Sequence, residues 1–478
     1  MKLGSRAAEV YVLLTATVFL LLAPCFAPEG GYASMTGFKA VLYAALTLLF
    51  LLVSLPDLPR PKAFFREPAR LLALGMLLFC LLSALCSPWR RTAFLGGSRR
   101  EGFLHLALYL ASFLLLSCRP LPRREGLTVC FAGAVLLEDG ICLCQLAGFD
   151  PLGLYPPGLG WEDANLRYAG SYLGTLGNAG QTGAVLSAAA ALFFLLILRR
   201  GGKRYLLLPP LLLSALVLAL MDVTAPMLAL GAVLLFSLVP YGKTLGELLR
   251  WGCLAFLTAA FLFLQLLGWG PALGLTLLSL ACYLLERRLP GDQPCRAASL
   301  CLLGFLCLLG LVFLLGYRGW YAPLREASAL LRGEGSEDAG SGRVYIWKQV
   351  LAAVPAHLWL GTGPDTLSLR NLSPYVYEAA EAGRTVTLGI DAAHCEPLHT
   401  LVCCGLPAAL CHLGLFVCAG IGFFRRREAG RSCAGAAFCY ALQALTGISM
   451  CQSAPVFWIL LALSLTEGGL FSETDEQK

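Results

Sequence analysis

The feature that most constrains the fold is a series of apolar runs, each about as long as one membrane crossing. A helix that spans the roughly 30 Å hydrocarbon core of a bilayer needs about 20 apolar residues. About fourteen such runs lie near residues 10–27, 38–55, 70–87, 102–118, 126–148, 178–198, 205–221, 224–239, 246–268, 270–285, 299–318, 398–423, 433–449 and 453–467. We therefore expect an all-α polytopic membrane protein with about 12–14 transmembrane helices.

Composition supports this reading and excludes most soluble classes. Of the 478 residues, 58% are hydrophobic and 14% charged, and the mean hydropathy is +0.72. Average soluble chains have about 45–50% apolar and about 25% charged residues. A soluble multi-domain enzyme, a disordered scaffold and a coiled coil are excluded, because the polar surface is too small. The helix boundaries within 205–285 are least determined, since Asp222 and Pro226 can split or merge helices.

The net charge of +7 reflects membrane topology rather than a nucleic-acid partner, because the basic residues form short clusters between apolar runs. With both termini in the cytoplasm, 23 Lys and Arg residues lie inside and 6 in the short outside loops. The basic loop that includes Arg90 and Arg99 is the exception. The 20 cysteines lie mostly inside apolar segments at no metal-ligand spacing, which is typical of small buried hydrophobes.

Two polar segments do not span the membrane, and both are predicted on the extracytoplasmic side. They are 149–177 and 319–393, and loops this long seldom serve only as connections. We divide the chain into N-terminal transmembrane helices (1–318, with the smaller loop), a long catalytic loop with short helices (319–393), and C-terminal helices with a short tail (394–478). No internal repeat is visible, which counts against inverted-repeat transporters.

The long loop contains a candidate anion-binding helix. Residues 341–351 are predicted to be helical, with Val344, Trp347, Leu351 and the following Val354 on one apolar face. Arg343 falls in the first turn, where a planar guanidinium and the positive end of the helix dipole both favour phosphate. The alternative is a surface arginine that faces water or lipid headgroups. Residues 360–365, Leu-Gly-Thr-Gly-Pro-Asp, are predicted to form a tight turn and lack the lysine of a phosphate-binding loop.

The end of the loop supplies a candidate base. Three of the five histidines, His357, His394 and His399, lie in or beside the loop, and a neutral imidazole at a membrane surface suits a general base. His394 and His399 with Glu396 are an alternative metal site, although residues five apart share a helix face poorly. An uninvolved interfacial histidine is the other alternative. Buried acids at 138 and 139 keep a transporter hypothesis open.

These segments together resemble the O-antigen ligase / O-antigen polymerase family of membrane glycosyltransferases. The likeness is clearest over 341–410, where order and spacing both agree with the family pattern. That pattern has an arginine, a tryptophan four residues later, a Gly-x-Gly turn, an Ala-His-Asn-x-x-Leu helix start and a closing Gly-Leu-Pro-Gly. The matching residues are Arg343, Trp347, Gly361, Gly363, His394, Gly405, Leu406 and Pro407.

Weaker likenesses extend over most of the chain, and some positions depart from the pattern. Residues 94–102, with Arg99, look like the family's outside Gly-Ser-x-x-Arg-x-x-Gly loop, and 145–152 and 174–178 are similar to the flanks of its other outside loop. Cys395 replaces the usual asparagine, and Ala408 replaces the last glycine. The family's Thr-x-Ser-Arg-Gly segment is reduced to 221–226, Met-Asp-Val-Thr-Ala-Pro, without an arginine.

The resemblance implies glycan transfer from an undecaprenyl-pyrophosphate donor to a hydroxyl of a glycan, lipid or protein acceptor. It places the enzyme in a bacterial cytoplasmic membrane, with lipid around it and the active site outside. Arg343 is expected to bind the diphosphate and His394 to deprotonate or orient the acceptor, without metal, nucleotide or other cofactor. Substrate contacts are expected from Arg167, Arg99, Trp347, Gly361, Gly363 and His399. A lipid-linked oligosaccharide transporter and a non-catalytic relative remain the alternatives.

Overall fold

The computed structural model describes residues 3–22, 31–57, 64–119, 121, 124–155, 160, 172–199, 204–379, 384–426 and 428–466. Almost every described element is a helix. The helices are α1 (Leu3–Leu14), α2 (Gly31–Ser54), α3 (Pro68–Cys86), α4 (Arg90–Leu95), α5 (Phe103–Leu116), α6 (Arg124–Leu146), α7 (Ala179–Leu198), α8 (Leu208–Leu220), α9 (Thr224–Phe236), α10 (Leu238–Tyr241), α11 (Leu245–Leu262), α12 (Leu264–Leu267), α13 (Trp269–Arg288), α14 (Arg296–Gly316), α15 (Ala322–Leu331), α16 (Arg343–Ala353), α17 (Glu396–Cys404), α18 (Leu406–Arg425), α19 (Glu428–Ala444) and α20 (Ala454–Leu465).

The remaining regular structure consists of short pieces. A π-helical segment, Thr15–Leu22, continues α1. Short 3₁₀ turns lie at Leu55–Asp57, Arg204–Leu207, Pro355–His357 and Leu367–Arg370. One antiparallel hairpin pairs β1 (Tyr375–Ala379) with β2 (Arg384–Leu388), with Tyr375 opposite Leu388. The long loop of 319–393 therefore holds two short helices, α15 and α16, and this hairpin.

The prediction of an all-α polytopic membrane protein is confirmed. Among the described residues, ten helices are long and apolar enough to cross a membrane, and three shorter apolar helices lie at 103–116, 204–220 and 454–465. Within the described residues, each of the predicted apolar runs contains at least one helix. The uncertain region separates into α8, α9, α11 and α13, because Asp222 adopts a left-handed conformation (φ 54°) and Gly268 has a φ of 77°.

The prediction of one continuous span over 398–423 is wrong, because Gly405 divides it into α17 and α18. Gly405 has φ 85° and ψ 172°, a conformation that side-chain-bearing residues avoid. A Cβ at this position would overlap the main-chain carbonyl of Trp359. The amide of Leu406 donates to the carbonyl of Leu358 at 2.8 Å. The long loop is thus joined to the break between the two helices.

Helix α7 is the centre of the bundle, since 94% of its membrane-length window is buried. It packs against α8, α9 and α19, and its run of alanines at 188–191 lets these neighbours approach closely. Helices α13 and α14 lie at the periphery, where only 11% and 6% of their windows are buried. Their apolar side chains are exposed and suited to contact with lipid acyl chains.

Contacts between loops divide the bundle into two ends. At one end, Arg70 donates to the carbonyl of Ser117 at 2.8 Å, and Arg426 pairs with Glu67 at 3.0 Å. At the other end, the loop before α5 contacts the long loop through Arg99. This grouping follows the alternation of the predicted topology, in which the Arg99 loop and the long loop share one side.

The two buried acids that supported the transporter hypothesis make contacts inside the protein. Glu138 accepts hydrogen bonds from the amide of Thr175 at 2.9 Å and from its hydroxyl at 2.6 Å. Asp139 accepts one from Ser214 at 2.9 Å. Glu138, in α6, thereby holds the segment before α7 through hydrogen bonds. This is a structural role.

The break at Gly405 gives a test of the fold. We expect Gly405→Ala to lower the free energy of unfolding by about 1–3 kcal/mol from backbone strain alone, and further because of the overlap with Trp359. Gly274→Ala in α13 is the matched control, because a Cβ there has nothing within 4 Å. Thermal unfolding in detergent measures both variants, and equal melting temperatures would contradict the assigned role of Gly405.

Candidate active site

Arg343 lies in the first turn of α16, as predicted, although the helix begins at Arg343 rather than at Ser341. The preceding Gly342 has a φ of 80°, and a Cβ on it would overlap the ring of Tyr375. The predicted apolar face is only partly correct, because Val354 is buried but Leu351 is 53% exposed, and Ile346 and Val350 are the buried residues within α16.

The Arg343 guanidinium is only partly satisfied. Its Nη1 donates to the carbonyl of Gly340 at 3.2 Å, while its Nε is buried without a partner among the described residues. Burial lowers the pKa of Arg343, and the charge of Glu326 opposes this effect. A guanidinium with an unfilled donor is suited to bind a phosphate oxygen.

His394 lies near Arg343, as the sequence predicted. Burial lowers the pKa of His394 to about 4, and the positive charge of Arg343 is the next largest cause; Asp391 acts in the opposite direction and Arg99 lowers the pKa further. The imidazole is therefore neutral at physiological pH, which is the form a general base requires. Trp347 Nε1 donates to the carbonyl of Ala393 at 2.9 Å and so fixes the backbone beside the imidazole.

Arg99 joins three segments that are distant in sequence. Its Nη2 lies 3.2 Å from Asp365 Oδ1 and donates to the main-chain carbonyl of Asp391, and its Nε lies 3.8 Å from Asp391 Oδ2. The amides of Gly97 and Glu101 donate to Asp365 Oδ2 at 2.6 and 3.3 Å. Two carboxylates thus balance the charge of Arg99, which is 6% exposed.

Gly361 and Gly363 face protein rather than open space. They have φ values of 63° and 114°, and a Cβ on Gly361 would overlap the carbonyl of Cys403, whereas one on Gly363 would meet Ser87 and Ala93. The expectation that these glycines contact substrate is therefore not supported by their surroundings. They let the turn approach α17 and α3 closely and place Asp365 against Arg99.

The other predicted contacts have different outcomes. His399 lies on α17 and on the cavity wall, with Nε2 3.6 Å from Cys403 Sγ and with no partner for Nδ1 among the described residues. Burial lowers its pKa well below the ordinary value, and Arg99, His394 and His412 add to the effect. Arg167 lies outside the described residues.

A cavity with about 710 Å³ of empty space lies beside His394. It contains two acids that sequence reasoning missed as site residues, Glu101 and Glu396, each 6% exposed. Glu101 follows Arg99 directly, and Glu396 was considered only as a metal ligand. An acid within an otherwise apolar helix start was the available signal. The described residues contain no group of three His, Cys, Asp or Glu side chains able to hold a metal ion, which counts against the His394, Glu396 and His399 alternative.

The segment that lacks the family's arginine lies between α8 and α9. Thr224 makes a hydrogen bond of 2.9 Å with the hydroxyl of Tyr321, at the start of the long loop. The charge of Asp222 contributes to the raised pKa of Tyr321, after burial. The carboxyl group of Asp222 and the phenol of Tyr321 therefore lie where the family pattern has an arginine.

One comparison with known proteins gives a match. Residues 251–413 match a family model described as O-antigen ligase. The matched segment includes Arg343, Trp347, Gly361, Gly363, His394 and His399, whereas Arg99 and Glu101 precede it. No curated protein matches the chain.

The proximity of the two central residues can be measured. We expect Arg343→Gln to raise the pKa of His394 from about 4 towards the ordinary 6.5, because a nearby positive charge disfavours the imidazolium. A pH titration followed by NMR of labelled histidine measures the change. Arg325→Gln, on the exposed side of α15, is the control. An unchanged titration in Arg343→Gln would show that the two groups are not coupled.

The position of Asp365 gives a second test. We expect Asp365→Asn to lower the free energy of unfolding by about 2 kcal/mol, because the buried Arg99 loses a charged partner. Asp292→Asn, in the exposed turn between α13 and α14, is the control. Thermal unfolding and protease cleavage within 96–102 report the change. Identical behaviour of both variants would remove Asp365 from this role.

Proposed function

We propose that this chain, whose residues 251–413 match a family model described as O-antigen ligase, is an enzyme of that kind and transfers a glycan from an undecaprenyl-pyrophosphate-linked donor to an acceptor hydroxyl. The reaction takes place on the extracytoplasmic face of a bacterial cytoplasmic membrane, with both termini in the cytoplasm. The single observation that carries the proposal is that the charge of Arg343 acts on a neutral His394, and that His394 lines a cavity.

The two side chains divide the chemistry between them. The acceptor oxygen attacks the anomeric carbon, the bond from this carbon to the pyrophosphate oxygen breaks, and the hydroxyl proton passes to the His394 imidazole. Negative charge develops on the departing pyrophosphate, and the Arg343 guanidinium stabilises it. Attack opposite the leaving group inverts the anomeric centre.

Arg99 acts in this proposal as a positioning residue. Its guanidinium is already paired with Asp365 and lies 3.8 Å from Asp391 Oδ2, so a diphosphate at Arg99 would meet two carboxylates. Arg343 has an unfilled donor and is therefore the better diphosphate ligand. Trp347 supports the backbone at Ala393 in the same way. The donor arrives already activated, so the proposed step uses neither metal nor nucleotide.

Two alternatives make different predictions. A transporter would depend on Glu138 and Asp139, but both accept hydrogen bonds from neighbouring hydroxyl groups inside the bundle. A non-catalytic relative is motivated by Cys395 and by the missing arginine near Asp222. Envelope polysaccharide from cells with and without the gene separates the activities: loss of long chains indicates a polymerase, and unattached lipid-linked long chains indicate a ligase.

Substitution of the central pair tests the enzyme hypothesis. We expect His394→Ala to lower the transfer rate by about 10²–10⁴-fold, as for loss of a general base, and Arg343→Ala to lower it by about 10²-fold or more. Transfer from lipid-linked glycan is measured in membranes that contain equal amounts of inserted protein. Arg325→Ala is the control, and full activity of His394→Ala would contradict the assignment.

A further inference from the structure

Glu101 and Glu396 lie on the wall of the same cavity as His394 but have no part in the chemistry proposed above. Glu101 precedes α5, and Glu396 is the first residue of α17. The two carboxyl groups come from parts of the chain nearly 300 residues apart, and the charge of Glu101 acts on Glu396. Burying two acids together is unfavourable unless hydrogen-bond donors satisfy them.

The two acids differ in how far the protein satisfies them. Glu101 accepts hydrogen bonds from Tyr109 at 2.8 Å and from Ser449 at 3.1 Å, one on each carboxyl oxygen. Glu396 Oε1 accepts only a long bond of 3.4 Å from Tyr440, and Oε2 lies 3.8 Å from His412 Nε2. Glu396 Oε2 thus has no hydrogen-bond donor among the described residues, although the side chain is 94% buried against a cavity.

The rest of the cavity wall indicates the chemistry of a ligand. The aromatic side chains of Tyr109, Tyr440 and Trp458 lie on the cavity wall and provide flat surfaces. Arg99 is the single Lys or Arg among the described lining residues, and Asp365 already pairs with it. A phosphate would meet acids here without a free cation, whereas an uncharged ring with hydroxyl donors meets acceptors and aromatic faces.

We propose that Glu396, with Glu101, Tyr109 and Tyr440, forms a subsite for an uncharged, unphosphorylated sugar ring of the acceptor, which donates a hydroxyl hydrogen to Glu396 Oε2. This assignment rests on the proposed function, since it places the acceptor sugar next to His394. It restricts the acceptor to molecules that present a neutral sugar. The diphosphate of the donor binds at Arg343, outside this subsite.

The protonation of the two acids agrees with a neutral ligand. Burial raises the pKa of Glu101 to about 7 and that of Glu396 to about 8, and the charge of Glu101 is the second cause for Glu396. Carboxyl groups that are partly protonated near neutral pH can both donate to and accept from sugar hydroxyls. Because they are partly protonated, these carboxyl groups carry little negative charge and do not favour a cationic ligand.

Direct binding of simple sugars tests the subsite. The full chain is placed in phosphatidylcholine nanodiscs, which avoid sugar-headed detergents, and the probes are methyl β-glycosides of glucose, galactose and N-acetylglucosamine. Saturation-transfer NMR measures their binding. We expect at least one glycoside to bind the wild type and to bind Glu396→Gln about tenfold more weakly, because Tyr440 donates to the amide oxygen and the amide nitrogen that takes the place of Oε2 cannot accept a sugar hydroxyl.

Glu337→Gln is the matched control, because Glu337 pairs with Lys348 on the surface with a side chain that is 54% exposed. Tyr440→Phe replaces Glu396→Gln if that variant does not fold. The subsite is overturned if no glycoside binds, if Glu396→Gln binds as tightly as the control, or if inorganic pyrophosphate displaces the glycoside.

The same samples separate this inference from the proposed function. We expect Arg343→Ala to bind the glycoside like the wild type while it loses transfer activity. Glycoside binding that depends on Glu396, together with undiminished transfer by Arg343→Ala and His394→Ala, would refute the proposed mechanism and support the subsite. Lost transfer in these variants without any glycoside binding would support the mechanism and refute the subsite.

Discussion

The architecture of the site depends on one main-chain oxygen, the carbonyl of Cys403. Because Gly405 ends α17, this carbonyl has no partner within its helix and is free to accept hydrogen bonds from elsewhere. The amides of Thr362 and Gly363 donate to it at 3.0 and 2.8 Å, and the hydroxyl of Ser83 donates at 3.0 Å. The long loop, α3 and α17 therefore meet at one buried point. Larger side chains at the adjoining glycines would prevent this contact.

The arrangement of charged groups at the site follows from these hydrogen bonds to the Cys403 carbonyl. They bring Asp365 against the loop before α5, where Arg99 is paired and the amides of Gly97 and Glu101 are satisfied. The buried acids Glu101 and Glu396 line the cavity with His394, whereas Arg343, with its unfilled donor, is not part of the cavity wall.

The surrounding bundle keeps polar chemistry at one end. Buried acids within the membrane-length helices accept hydrogen bonds there: Glu138 from the amide and hydroxyl of Thr175, and Asp139 Oδ2 from Ser214, while Asp139 Oδ1 has no partner among the described residues. Buried polar groups need partners inside the protein because water is absent from the hydrocarbon core. The peripheral helices α13 and α14 add lipid-facing surface and contribute no residue to the cavity. The cavity beside His394 therefore combines buried acids, imidazoles and a paired guanidinium where loops from both halves of the chain meet.

The sequence by itself determined the helical membrane class, the apolar runs and a helix that carries Arg343 in its first turn, because hydrophobic period and motif order are local properties. Only the tertiary structure decided that Gly405 interrupts the run over 398–423, that Gly361 and Gly363 face backbone, and that Arg99 is paired rather than free. It also brought Glu101 to Glu396. These features depend on contacts between segments up to about 300 residues apart, and no local pattern records which distant carbonyl or carboxylate will fill a given space.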